Sequence, residues 1–565
     1  MTMYYSAGRA LHEATSESRA SRAPENANNV CMNDITVSNT SDEPTSLTFS
    51  DAESCAVWLR GLPLTNVPKL HSVLLDQLKR LSEAEFSPRE RARIAEVFRE
   101  PVSFVHTELA RRYAGKPQPA NERELEATEQ TLALWQALWE QYSACLKPML
   151  EGDPELQGLK QKVLQRGLYV GKQVILVHAL ARRVPPAWVW QELHAYYRLA
   201  EILDCTVTAV SDELSPSAIG VSCYSTYSHA ILLNLADPCA MSIRQIELTD
   251  RWLGMWARKV FPYADQRETE GPVIVVDLDA AQGAVLMNAA PGPGGESMRY
   301  AYPAKIGTSV RGRIKRIGLG ANPAELQLGN DASAEACTTL LSHLDACWYS
   351  PSRASKADAD AVLALCVGGL AAAYFRVAGR TFNRNDPSGR LSYQGSQHLA
   401  TLDALTGYDR NRDEAEKSWA WESWEGTRDA VECKLRRPGN GAQRWHLEQL
   451  VVARDADGMR CGFVTRVALD DDELWLTIRL WSGPPSAFSV RAMTSMMSED
   501  APIAALLLGA TPDEKACLVL PSRTFTADRM LRSLPDGGPE RRFKLTRVLQ
   551  RGADFERVAF EEKDA

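Results

Sequence analysis

Few residues in this chain have the types and spacing that chemistry requires. Asp277-Leu278-Asp279 follows an apolar run, and paired carboxylates are suitable ligands for a hard divalent cation, the arrangement a metal-dependent transferase would use. Gly283 and a second apolar run soon after favour a hairpin turn at the same place. Gly318-Leu319-Gly320 follows a helical pattern rather than a strand and runs into Pro323, so it lacks the context of a dinucleotide-binding loop. The nine histidines show no His-Glu-x-x-His or other paired metal spacing, and His178 and His194 lie in helical stretches as core or surface residues. There is no Gly-x-Ser-x-Gly elbow. These residues assemble no active site, and the expectation is a protein that is not an enzyme. Two arginine strings remain, Arg376 with Arg380 and Arg380 with Arg384, both read as solvated surface charge. The string Ser423-x-x-Gly426 supplies a loop suited to close backbone approach.

The elements that must position these residues change character along the chain. Of 565 residues, 45% are hydrophobic and 24% charged, enough for several cores and three or four domains. A formal charge of -8 argues against binding a nucleic-acid polymer or a membrane surface through a general basic face, although it leaves room for a local basic patch. Twelve scattered cysteines without a Cys-x-x-Cys pair read as reduced, buried thiols, and neither a signal segment nor a membrane-spanning run is recognisable. A cytoplasmic protein without membrane insertion is expected. Residues 1–50 are polar and are expected to be disordered.

Residues 51–265 read as packed helices. Leu74, Leu75, Leu78 and Leu81 make one apolar stripe, and Leu132, Trp135, Leu138 and Trp139 make another. Ser87-Pro88-Arg89-Glu90 is a helix start with a capping hydroxyl, proline at the first position and a glutamate able to reach back; Asn121 to Glu124 offers a second. Trp190, Leu193 and Tyr197 have the spacing of half a tetratricopeptide helix, but no 34-residue recurrence follows, so they are core aromatics. Residues 266–346 form a small mixed segment: strands at Val273 to Val276 and Ala284 to Met287, a basic helix near Lys305 to Ile317 with Arg311, Arg313, Lys315 and Arg316, and another helix from Cys337.

Residues 347–500 turn to β structure, beginning with an apolar strand read from Ala361 to Phe375 and interrupted by a polar insertion near 386–418. Arg444 to Arg454 and Cys461 to Val467 form a hairpin across Asp455 to Gly458. After the turn Asp470-Asp471-Asp472, the residues Leu474, Leu476, Ile478 and Leu480 alternate toward a core. Residues 501–565 add a C-terminal β extension. With Arg353 preceding the first strand and Ser423 and Gly426 following it, this region resembles the PilZ family of cyclic di-GMP receptors. In that family an Arg-x-x-x-Arg segment and a turn of Asp or Asn, x, Ser, x, x, Gly together hold the dinucleotide. The resemblance implies that Arg353 and Lys356 contact phosphate or guanine and that Ser423 and Gly426 form the opposing turn. Ala357 stands where the second arginine belongs, with Lys356 the nearest base, and Trp421 stands where Asp or Asn belongs. A lysine is a point charge without arginine's bidentate fork.

The expected architecture is therefore multidomain α+β: a helical N-terminal domain, a small mixed α/β segment, and a PilZ-like antiparallel β-barrel with a C-terminal β extension. The implied function is a cyclic di-GMP-responsive regulatory protein with no cofactor and an unidentified protein partner. The alternative is an interaction scaffold that no longer binds nucleotide, and the remote one a transferase using Asp277 and Asp279 with a metal.

Overall fold

Apolar residues at helical spacing, each run opened by a capping side chain, build the first half of the fold. The computed structural model describes residues 47–215, 220–269, 271–289, 294–350, 359–382, 414–429, 432–439, 441–456, 458–493, 501–534 and 540–563. Among the described residues nine α-helices come first: α1 (Ala52–Arg60), α2 (Val67–Glu83), α3 (Pro88–Tyr113), α4 (Glu122–Ser143), α5 (Leu146–Leu150), α6 (Lys160–Leu180), α7 (Ala187–Ile202), α8 (Cys223–Leu235) and α9 (Ile243–Trp256). Ser87 Oγ accepts from Glu90 N at the start of α3, but the Glu90 carboxylate takes Ala52 N (2.7 Å) and ties α3 to the first turn of α1 instead of closing its own box. Asn121 and Glu124 form the complete reciprocal box on α4. Of the segment expected to be disordered, residues 1–46 lie outside the described residues; Phe49, within it, is buried against Trp58 and Phe98.

The central helix is α6, buried on nearly every side from Val163 to Leu180. Gly167 is required there, because a Cβ would lie 1.9 Å from the ring of Tyr196 on α7. Trp190, Leu193 and Tyr197 are core residues as their unrepeated spacing indicated, and Tyr197 stacks on Tyr227 at 4.2 Å.

The mixed segment contains β1 (Val273–Asp277), β2 (Val285–Met287) and β3 (Met298–Ala301) in the order β2-β1-β3, then α10 (Ala304–Gly318) and α11 (Ala334–Tyr349). Its inward residues Ile274, Val276, Ile306, Leu340 and Trp348 belong to the same hydrophobic core as the helices. The segment thus buries its apolar face on the helical unit.

Two closed antiparallel barrels follow. The first comprises β4 (Ala359–Cys366), β5 (Glu422–Arg428), β6 (Glu432–Arg436), β7 (Leu450–Asp455), β8 (Gly458–Asp470) and β9 (Glu473–Leu480), in the order β4-β5-β6-β9-β8-β7. Leu474, Leu476, Ile478 and Leu480 face its core with Trp424, Leu435 and Trp445. Asp471 and Asp472, both at positive φ, make the two-residue turn between β8 and β9. The apolar run from Ala361 to Phe375 is not one strand. It bends at Gly368 and Gly369, both at positive φ, into α12 (Gly369–Ala378), which buries Leu370, Ala373 and Tyr374 between the barrels.

The C-terminal residues do not extend the first barrel. With β10 (Pro485–Ala492), strands β11 (Ile503–Leu508), β12 (Cys517–Pro521), β13 (Met530–Ser533), β14 (Arg542–Arg551) and β15 (Phe555–Lys563) close a second one, in the order β10-β11-β12-β15-β14-β13. Counted from its own first strand, each barrel has the order 1-2-3-6-5-4, so the chain repeats one topology in tandem. The repeat was invisible in sequence because barrel topology requires only alternation and turns, which unrelated side chains satisfy equally well.

Candidate ligand face of the first barrel

On β5, successive side chains point alternately into the barrel and out to solvent. Trp424 points in and is fully buried, while Ser423 is exposed on the outer face. Register places Ser423 opposite Ala364 of β4, and Ala364 opposite Arg454 of β7, so Ser423, Ala364 and Arg454 form one cross-strand row. Gly426, three residues on, lies on the other face of the strand from Ser423. A Cβ there would meet Lys434 O at 1.9 Å, so glycine is demanded by the close passage of β6. Ser423 and Gly426 are thus not the turn expected from their spacing: pairing with β4 on one side and β6 on the other holds both in extended strand. Arg353, Lys356 and Ala357 lie outside the described residues, six, three and two positions before Ala359, where β4 begins.

Beside this row sits an arrangement that the sequence did not announce. Two guanidiniums lie against the ring of Trp421, with Arg376 Cζ 4.9 Å and Arg454 Cζ 4.7 Å from its centroid. Arg376 is not the solvated arginine expected. Its side chain is 7% exposed, paired with Glu416 at 2.6 Å and donating to Trp419 O. The cause is α12, which turns Arg376 back toward the barrel, whereas a continuous strand would have carried it away. Burial raises the pKa of the neighbouring Cys366 thiol, against the opposing effect of Arg376, so this cysteine stays protonated. An aromatic ring beside two guanidinium groups, with an exposed hydroxyl in the adjacent row, suits a flat ligand carrying negative charge. No signal in the spacing could have joined residues 376, 421, 423 and 454; strand register joins Ser423 to Arg454, and the packing of α12 brings Arg376 to Trp421.

Behind Ser423, Glu422 is the hub of the barrel end. Its Oε2 accepts from Trp424 Nε1 (3.1 Å), Trp445 Nε1 (3.3 Å) and Arg437 Nη2 (2.9 Å). Trp445 also exchanges two main-chain hydrogen bonds with Gln118 in the loop between α3 and α4, at 2.7 and 2.8 Å. Arg444 completes the junction, donating to Pro117 O and Pro119 O and pairing with Glu124, the same carboxylate that caps α4. A second joint pairs Arg182 and Val184 with Leu469 through main-chain bonds, and Arg466 meets Asp237 at 2.9 Å. The helical unit and the first barrel are therefore joined through backbone as well as side chains.

The helical region carries its own buried charge. Arg99 and Arg166 share Asp212 and Glu96, with Lys162 at the edge. Burial would raise the Glu96 carboxyl, but the Arg166 hydrogen bond and the charges of Arg166, Arg99 and Lys162 outweigh it and hold its pKa at about 2. His194 is a satisfied core residue, its Nε2 donating to Gln282 O and its Nδ1 accepting from Tyr227. His178 is equally internal, bonded to Val174 O.

Asp277 ends β1 and Asp279 lies in the hairpin turn that follows. Asp277 Oδ1 accepts from Asp279 N, and Asp279 pairs with Arg198 at 2.7 Å, so both carboxylates are used by the turn and its anchor on α7. Among the described residues no group of three or more His, Cys, Asp or Glu could hold a metal ion, and no helix is long and apolar enough to cross a membrane.

Residues 53–262 match a family model: the N-terminal domain of the cyclic-di-GMP receptor FimW. The match covers well under half of the chain and coincides with α1 to α9. It falls on the helical region and not on the barrel whose residues carry the PilZ resemblance, so the relationship to a cyclic di-GMP receptor enters from the other half of the molecule. No curated protein and no solved structure matches the chain.

Proposed function

We propose that the protein is a non-enzymatic regulator that binds cyclic di-GMP on the first barrel and transmits its occupancy to the helical domain. One observation carries this reading: the domain matched to a cyclic di-GMP receptor family is hydrogen-bonded through its backbone, at Gln118 and Arg182, to the barrel that carries Ser423, Trp421 and Arg454. Arginine forks match phosphate oxygens and the guanine O6 and N7 edge, and an indole plane stacks on a purine. In this reading Arg353 and Lys356, from the segment before β4, contact phosphate or guanine, and Arg454 and Ser423 contribute from the barrel's outer face. Gly426 takes part only by letting β5 and β6 close together. A protein partner on the helical domain is the output.

Calorimetric titration of the full chain with cyclic di-GMP tests the reading. A saturable heat that disappears in Arg353→Ala and in Arg454→Ala is expected. No heat up to high micromolar ligand would refute nucleotide binding. That result would favour the second reading, a scaffold without nucleotide, which draws support from the Trp421 ring already being in contact with Arg376 and Arg454.

A further inference from the structure

The basic helix α10 holds charges that nothing described so far uses. Lys259, in the short turn after α9, donates its Nζ to Ser309 Oγ at 2.7 Å. Arg313, one turn on from Ser309, donates to the same hydroxyl and to Ser309 O, while its Nε takes Leu326 O at 3.0 Å. Two cations thus converge on one neutral oxygen. Among the described residues neither has a carboxylate within ion-pair distance, nor do Arg258 and Arg316 beside them. This sets the cluster apart from Arg311 on the same helix, which is paired with Asp345 at 3.0 Å.

The hydrogen-bonding capacity left over at this place is donor capacity. A hydroxyl has one proton and two acceptor lone pairs. With both lone pairs of Ser309 engaged by Lys259 and Arg313, its own proton must point elsewhere, and no acceptor for it lies among the described residues. The Nη2 of Arg313 and two protons of Lys259 are also uncommitted. Arg313 lies over the ring of Trp256, 4.8 Å from its centroid, and the buried indole N–H of Trp256 has no acceptor either. Both cations are half-buried. Desolvation and then the charges of Arg313 and Arg258 lower the pKa of Lys259; desolvation and then Arg316 lower that of Arg313. Like charges held together away from water destabilise the fold unless a negative group joins them.

We propose that Lys259, Ser309 and Arg313 form an oxyanion site for a phosphate group, with Arg258 and Arg316 at its rim. A guanidinium edge and a hydroxyl from α10, with an ammonium from the turn after α9, match the several oxygens of a tetrahedral phosphate. The site joins the matched helical domain to α10, which lies beyond it in sequence, and it does not depend on the nucleotide reading of the barrel.

Thermal melts of the full chain in sodium phosphate, against sodium chloride at equal ionic strength, provide the test. Phosphate should raise the melting temperature by about 3 °C or more at tens of millimolar. The rise should vanish in Lys259→Gln and in Lys259→Gln/Arg313→Gln but persist in Lys315→Gln, an exposed charge on the same helix. In chloride, Lys259→Gln should melt no lower than the wild type, because it relieves repulsion; this separates loss of the site from loss of the fold. No phosphate-specific rise in the wild type, or an equal rise in the double variant, overturns the proposal. A steeper rise with GMP than with phosphate assigns the source to nucleotides. Flotation with phosphatidylglycerol vesicles, abolished in the double variant, assigns it to lipid headgroups.

Discussion

Replacing Glu422 with glutamine changes one charge without opening a cavity, and the structure sets what that should do. Glu422 Oε2 neutralises Arg437, whose side chain is 6% exposed, and accepts from the indoles of Trp424 and Trp445. Arg437 keeps Gly441 O and Gln443 O as acceptors, so the variant loses the counter-charge but not every hydrogen bond. Removing one member of a buried pair costs about 3–5 kcal/mol when nothing else compensates. With the two carbonyls retained and an amide oxygen still available to the indoles, about 2–3 kcal/mol is expected for Glu422→Gln. Arg437→Gln should cost a similar amount. The double variant should cost much less than the sum, giving a coupling of about 2 kcal/mol. Urea unfolding followed by tryptophan fluorescence is the assay, since Trp424 and Trp445 report directly on the site. A coupling below about 0.5 kcal/mol would refute the argument that Glu422 and Arg437 act as one buried unit. The consequence reaches function, because Trp445 is also the residue through which the barrel holds the helical domain at Gln118.

Gly167→Ala places a methyl group 1.9 Å from the Tyr196 ring, and Tyr196 is pinned by its hydroxyl contact with Ser143. Alanine gains about 1 kcal/mol of helix propensity, but the clash should win, leaving a net loss of about 2 kcal/mol in denaturant unfolding. Asp212→Asn removes the carboxylate shared by the buried Arg99 and Arg166 and should cost about 3 kcal/mol, read as a lower urea midpoint. Burial lowers His106 and His178 from the ordinary 6.5 to about 4 each. The unfolded chain therefore takes up these protons first, and stability that is intact above pH 6.5 falls as pH drops toward 4, by about 3 kcal/mol for each histidine. Melting temperature measured from pH 7.5 to 4.5 should fall, and His106→Gln should flatten part of that slope.

The sequence by itself determined the class of each half, because burial periodicity is local. Leucine and tryptophan stripes at helical spacing specify α2 and α4, and alternation from Leu474 to Leu480 specifies β9 and its inward face. It also marked the hairpin after β1 and the basic helix α10. What it could not determine depends on contacts between distant residues. The apolar run after Ala361 carries the breaker Gly368-Gly369, but nothing local showed that the chain would bend there into α12, which is what turned Arg376 from an exposed charge into a buried neighbour of Trp421. Ser423 and Gly426 looked like partners in a turn, yet pairing on both edges of β5 puts them on opposite faces of a strand. The second barrel, the Glu422 hub and the convergence of Lys259 and Arg313 on Ser309 all join residues from separate elements. Only tertiary structure, by setting strand register and helix packing, brings those groups within hydrogen-bonding distance.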